Sequence, residues 1–315
     1  MSFITAAEAE TTTLPQLTPY YYEDSCPQGV DLIRSLLNEV VTEEPRMAAS
    51  LLRLHFHDCF VNGCDGSVLL DGPGSEKEAL PNRNSARGFE VIENIKGQVE
   101  TLCPGIISCA DILTLSATES VALLGGPTWT VLLGRRDSTF ANFSGAGTDL
   151  PAPFFSLYQL ISAFKVKGLT LADMVALSGA HTIGFARCTS FRSRIYGDKN
   201  INMTFAKSLQ SICPRPMGEG DDNLTSLDDR VSSAQFDTSY YSKQTQQKGL
   251  LHSDQELLNG GLADEVVLQF SSNSTAFFES FVAAMIKMGN LNPLTGERGI
   301  IRKKCNIPEA AATEK

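Results

Sequence analysis

The run Arg53-Leu54-His55-Phe56-His57-Asp58-Cys59-Phe60 places a permanent cation and an imidazole four residues apart. On a helix, positions i and i+4 share a face, so Arg53 and His57 project together while His55 points elsewhere. Such a pair suits proton transfer with the developing negative charge stabilised beside it. Two other readings of the His-x-His triplet stand next to this one: a buried pair of hydrogen-bonded histidines, and zinc ligation by His55, His57 and a carboxylate. The chain continues through Asp58, Asp65 and Ser67, with Val61 and Gly63 able to turn carbonyl oxygens inward from a loop flanked by Cys59 and Cys64. Hard oxygen donors of this kind suit calcium, against the plainer reading of a polar turn. An EF-hand is excluded, because Leu69 stands where that loop needs its bidentate Glu. A second segment, Ala176-Leu177-Ser178-Gly179-Ala180-His181-Thr182-Ile183-Gly184, carries a single histidine at a helix end. A lone histidine there is ordinarily structural. As a metal ligand it needs an acceptor for its second ring nitrogen, and Asp254 in Ser253-Asp254-Gln255 is the candidate.

The elements that must hold these residues are helices. Leu32, Ile33, Leu36, Leu37, Val40 and Val41 recur at helical spacing, as do Phe89, Ile92, Val99 and Leu102. Ser108 is placed to cap a helix through Leu124, which Gly125 and Gly126 stop. Thr170 and Asp173 have capping-box spacing at the start of a helix that runs to Ser178. A late helix carries Phe277, Phe278, Phe281, Val282, Met285 and Met288 as a core stripe. Thr130 to Leu133 reads as one short strand. The fold class is therefore mainly α, with Pro151-Ala152-Pro153 the best boundary between two helical halves.

With 315 residues, 42% hydrophobic and 20% charged, the chain buries a large core. A net charge of −10 with no dense Lys/Arg cluster argues against a nucleic-acid partner. No run approaches the roughly 18 apolar residues of a transmembrane helix, so no membrane partner is expected. Eight cysteines without a Cys-x-x-Cys pair favour disulfides over a zinc cluster, and sequons start at Asn142, Asn202, Asn223 and Asn273. Together they favour secretion. Residues 1–15 lack a basic n-region and an apolar h-region, and read as a leader or disordered segment.

Taken in order, the motifs closely resemble those of the class III secretory plant peroxidases, members of the haem peroxidase superfamily. The resemblance covers nearly everything from Gln16 to Asn306. It rests on Tyr22-Glu23-Asp24-Ser25-Cys26-Pro27, the Arg53 to Phe60 segment, Asn82-Arg83-Asn84-Ser85-Ala86-Arg87-Gly88-Phe89, Leu150-Pro151-Ala152-Pro153, the His181 segment, and Lys248-Gly249-Leu250 leading into Ser253-Asp254-Gln255.

It implies a two-domain, mainly helical fold with haem b between a distal domain, residues 16–150 joined by 268–315, and a proximal domain, residues 151–267. His181 would be the axial ligand with Asp254 as its partner, and Phe56, Arg46 and Ser85 would line the cofactor. Arg53 and His57 would act on hydrogen peroxide, with Asn82 orienting His57 and Glu76 orienting Asn82. Pro151 would meet small phenols such as monolignols and hydroxycinnamates, oxidised one electron at a time by a ferryl haem radical.

Two calcium ions are implied, a distal one on Asp58, Val61, Gly63, Asp65 and Ser67 and a proximal one on Thr182, Asp229, Ser232, Gln235 and Asp237. Ser232 and Ser233 stand where relatives usually carry Thr and Pro. The implied disulfides are Cys26–Cys103, Cys59–Cys64, Cys109–Cys305 and Cys188–Cys213; the sequence by itself leaves about a hundred pairings open. A secreted monomer is expected, in the cell wall or extracellular space, with the vacuole as the alternative destination.

Overall fold

The computed structural model describes residues 17–228 and 234–308. Residues 1–15, read above as a leader, lie outside it, as do Asp229 and Ser232. Among the described residues there are thirteen α-helices and one two-stranded sheet.

The helix Gly29–Glu43 buries Ile33, Leu37 and Val41 at four-residue spacing, and Phe89–Leu102 buries Ile92, Ile95 and Val99. Both faces of Cys109–Leu123 are buried, which makes it the central helix of the first half. Its N-terminus is capped by Ser108, whose hydroxyl accepts the Asp111 N–H. Against it packs Arg46–Val61, the helix that carries Arg53 and His57. In the second half, Leu171–Ser178 starts with the expected capping box from Thr170 and Asp173, and packs on Ser274–Gly289.

The expected strand at Thr130 to Leu133 does not form. Only Leu133 pairs, in a single bridge to Thr18. The segment has one short partner and no second strand to continue the ladder, so its apolar run is used for packing instead. The sheet lies elsewhere, pairing Phe185–Arg187 antiparallel with Leu224–Ser226 directly after the His181 turn.

One core joins Ile33, Leu51, Leu54, Ile92, Ile112 and Cys305, while another runs through Phe60, Val121, Phe164, Met174, Phe277 and Phe281. The second core thus crosses the Pro151 boundary. Cross-links reinforce it: Arg135, fully buried, donates from Nη1 to Asp111 Oδ1 at 2.8 Å and from Nε to the Gly289 carbonyl at 3.1 Å. All four disulfides pair as expected, Cys26–Cys103, Cys59–Cys64, Cys109–Cys305 and Cys188–Cys213. Cys109–Cys305 ties the C-terminal segment to the central helix of the first half.

Candidate active site

His57 sits on the Arg46–Val61 helix with its Nδ1 in a short hydrogen bond to Asn82 Oδ1. Asn82 Nδ2 in turn donates to the backbone carbonyl of Glu76 at 2.9 Å. The chain of donors fixes the tautomer, since an Asn82 amide whose nitrogen is committed to a carbonyl can only accept from His57. Nε2 is then the acceptor, and Arg53 Nε, one turn earlier, lies 3.1 Å from it. Arg53 is itself clamped, from Nη1 to the Ser85 carbonyl at 2.9 Å and from Nη2 to the Pro81 carbonyl and Ser85 Oγ.

Burial, then the Arg53 charge, pushes the His57 pKa down to about 3, with the Asn82 bond opposing. His57 is therefore neutral at physiological pH. Burial lowers the Arg53 pKa to about 10, which still leaves it charged.

His55 points to the opposite side, with its ring nitrogens 3.6 and 3.8 Å from Cys59 Sγ and its pKa held to about 3 by burial and then by Arg135. His55, Cys59 and Cys64 do cluster, but the two sulfurs form a disulfide and offer no thiolate to a metal. The zinc reading fails because the two histidines diverge.

Glu76 reaches Asn82 differently from the expectation. Its backbone carbonyl makes the contact, while its carboxylate accepts the Asn142 N–H at 3.0 Å. The other oxygen, Oε2, is buried without a hydrogen-bond partner. Burial raises this carboxyl to about 7. Asn142, which the sequence marked only as a sequon, is thus a neighbour of this network through its backbone N–H.

Below His57, Asp58 accepts the Gly66 and Val68 N–H groups, and Asp65 accepts that of Ser67. Ser67 Oγ is buried and unpartnered. Both carboxyls are raised, Asp58 strongly, by burial above all and in part by neighbouring carboxylates. Gly63, at φ 120°, is irreplaceable there, because a Cβ would lie 2.7 Å from the Leu291 and Asn292 carbonyls.

On the other side, the helix Leu171–Ser178 ends in a 3₁₀ turn, Gly179–Thr182, that presents His181. Its Nδ1 lies 2.8 Å from Asp254 Oδ1, while the side chain remains 39% exposed although Asp254 is buried. Gly179 admits this turn, since a Cβ would strike Tyr241 Oη at 2.4 Å and the Phe277 ring. Gly184 brings the turn against the Arg53 helix, 2.8 Å from its would-be Cβ to Ala49.

Thr182 Oγ1 donates to Asp237 Oδ1 at 3.1 Å and lies 3.1 Å from Ser239 Oγ, which donates to Asp228 Oδ1 at 2.7 Å. Asp228 and Ser239 were not foreseen at this cluster, where Lys243 also approaches Asp228 at 3.1 Å. Gln235 has an exposed side chain.

Arg46 stacks over Phe185 at 5.2 Å, and Phe56 lies 4.2 Å from Phe60, half-buried. Pro151 is half-buried, and two residues on, the Pro153 carbonyl accepts the Ser253 N–H, tying this segment to the Asp254 helix.

A family model described as "Peroxidase" matches residues 33–273. The chain belongs to the peroxidase family. It is 55% identical over 306 residues to "Peroxidase 2" of Oryza sativa subsp. japonica, covering 97% of this chain and 96% of that one. Similarity is as high to "Peroxidase 4" of Vitis vinifera, 55% over 293 residues with 92% and 91% covered. "Peroxidase P7" of Brassica rapa subsp. rapa is 54% identical, with 92% and 99% covered. A peroxidase reduces hydrogen peroxide with electrons from a second substrate, and membership in this family implies a haem cofactor. No described helix is long and apolar enough to cross a membrane.

Proposed function

We propose that this peroxidase uses His57 as the proton shuttle for peroxide cleavage, Arg53 as the charge stabiliser, and His181 as the axial ligand of haem b held between residues 16–150 with 268–315 and residues 151–267. The observation that carries the reading is the complementary wiring of the two histidines. Each gives its Nδ1 hydrogen to a protein acceptor, Asn82 or Asp254, which leaves each Nε2 with its lone pair. His181 fits an axial ligand because its Nδ1 is anchored and its ring is exposed among buried neighbours. When bound, haem supplies the acceptor for both oxidising equivalents of peroxide.

The protein's part follows from the residues. Peroxide displaces the Arg53 Nε–H from His57 Nε2 and offers its own O–H instead. His57 takes that proton and returns it to the departing oxygen; burial keeps the proton from staying on the ring. Arg53, anchored on Ser85 and Pro81, places its charge where hydroxide develops.

Small phenols such as monolignols and hydroxycinnamates are the proposed donors, oxidised in one-electron steps and approaching at Pro151. Arg46, Phe56 and Ser85 would line the cofactor. Calcium is proposed at Asp58, Val61, Gly63, Asp65 and Ser67, where two buried carboxylates and an unpartnered hydroxyl call for a hard cation. A second ion is proposed at Thr182 and Asp237, with Gln235, Asp229 and Ser232. Disulfides and sequons support a secreted, glycosylated protein in the cell wall or extracellular space, with the vacuole as the alternative, and a monomer is proposed.

The test is His57→Ala. It should bind haem with an unchanged Soret band yet react with peroxide roughly 10²- to 10⁴-fold more slowly in stopped flow. Wild-type rates in that variant would remove His57 from the mechanism.

A further inference from the structure

Asp254 is buried at 3% exposure and accepts three hydrogen bonds. The Leu251 N–H reaches Oδ2 at 2.9 Å. His181 Nδ1 and the Tyr240 hydroxyl share Oδ1, at 2.8 and 3.1 Å. Tyr240 is equally buried, and its ring stands edge-on to the His181 imidazole with centroids 6.0 Å apart. Its ring also meets Tyr241 edge-on at 5.0 Å, and Tyr241 is locked by its own hydroxyl to the Val175 carbonyl at 2.8 Å. Tyr240 therefore has little freedom to turn away. Burial, then the Asp254 charge, holds its pKa well above the usual tyrosine range, so it remains a donor at every working pH.

Two donors on one carboxylate oxygen compete for the same negative charge. The more Tyr240 draws, the less is available to pull the Nδ1 proton of His181, and the less imidazolate character the ring carries to its Nε2. We propose that Tyr240 is a positioning residue that acts through Asp254 to moderate electron donation by His181, and so raises the reduction potential of the iron it ligates. This rests on the axial-ligand reading of His181 above.

The test is the ferric/ferrous potential of the haem-loaded protein by spectroelectrochemistry. Tyr240→Phe removes one oxygen and leaves Oδ1 satisfied by His181. The equilibrium constant for reduction should fall by about tenfold, a downward shift of about 59 mV for one electron. The iron–imidazole stretching frequency of the ferrous protein should rise with it. Asp254→Asn should move the potential the opposite way, since an amide cannot supply the charge.

A tyrosine that merely fills space predicts no change in Tyr240→Phe, and one that merely holds Asp254 in place predicts an upward shift; either result overturns the proposal. If Tyr240→Phe fails to fold, 3,5-difluorotyrosine at position 240, a stronger donor of nearly the same shape, should raise the potential, and an unchanged or lower value would be decisive against it. Wild-type protein that takes up haem with no ligation by His181 would overturn the axial-ligand reading itself, an outcome distinct from an unmoved potential.

Discussion

At the scale of single residues, the site depends on which atom of each side chain is already committed. Arg53 uses three nitrogens, one each toward His57 and Ser85 and one shared by Pro81 and Ser85. A lysine keeps the charge but has no planar fork to satisfy these acceptors together. Arg53→Lys should therefore slow the peroxide reaction by roughly 10- to 10²-fold while leaving haem uptake intact, as single-turnover absorbance would show. Arg53 and His57 were legible from sequence because i, i+4 spacing forces them onto one face. The His57–Asn82 and His181–Asp254 contacts were expected as well, but the rest of the wiring was not. Asn82 is held by the carbonyl of Glu76, and backbone contacts leave no trace in residue identity. Tyr240 and Asp228 join the proximal side through Asp254 and Ser239, 14 and 11 residues away, separations that no local spacing rule reads.

At the scale of elements, caps were the most readable signals, because they depend on neighbours three residues apart. Asp173 closes the helix that leads to His181, accepting the Thr170 N–H and hydroxyl, and it also binds Lys287 Nζ at 2.7 Å across to Ser274–Gly289. Burial alone would raise its carboxyl, but the bonds from Lys287 and Thr170 together hold it below the ordinary range. A depressed folded pKa gives stability that is complete above the unfolded value near 3.9 and is lost as pH falls through the folded one. Asp173→Asn should thus cost about 1 kcal/mol at pH 7, with the gap from wild type closing below about pH 4 in denaturant titrations. A gap that widened in acid would refute this account of the cap. Sequons proved to have a second use: Asn142, Asn202 and Asn273 each cap a helix through Oδ1. Thr130 to Leu133 misled because an apolar run of four residues serves a strand or a buried loop equally well, and only its partner decides.

At the scale of the whole molecule, a core shared across the Pro151 boundary joins the two halves, while the Arg135 contacts and Cys109–Cys305 fasten the C-terminal segment to the first half, a pairing that the residues alone could not select from the alternatives. The proposed distal calcium acts at this scale too, since Asp58 follows His57 directly in the chain. Chelation should release carboxylates that repel one another and let His57 drift, slowing the peroxide reaction by roughly tenfold or more before the fold is lost. Calcium readdition should restore the rate; confirmed calcium loss with an unchanged rate and melting temperature would reduce the loop to a turn. The central claim, that this chain carries iron as haem on His181 and delivers peroxide's oxidising power to it, meets its most direct test in the metal content and absorbance spectrum of the purified protein. The account predicts one iron per chain, a strong Soret band, and a change in that band on adding one equivalent of hydrogen peroxide. Zinc in place of iron, with no Soret band, would contradict it.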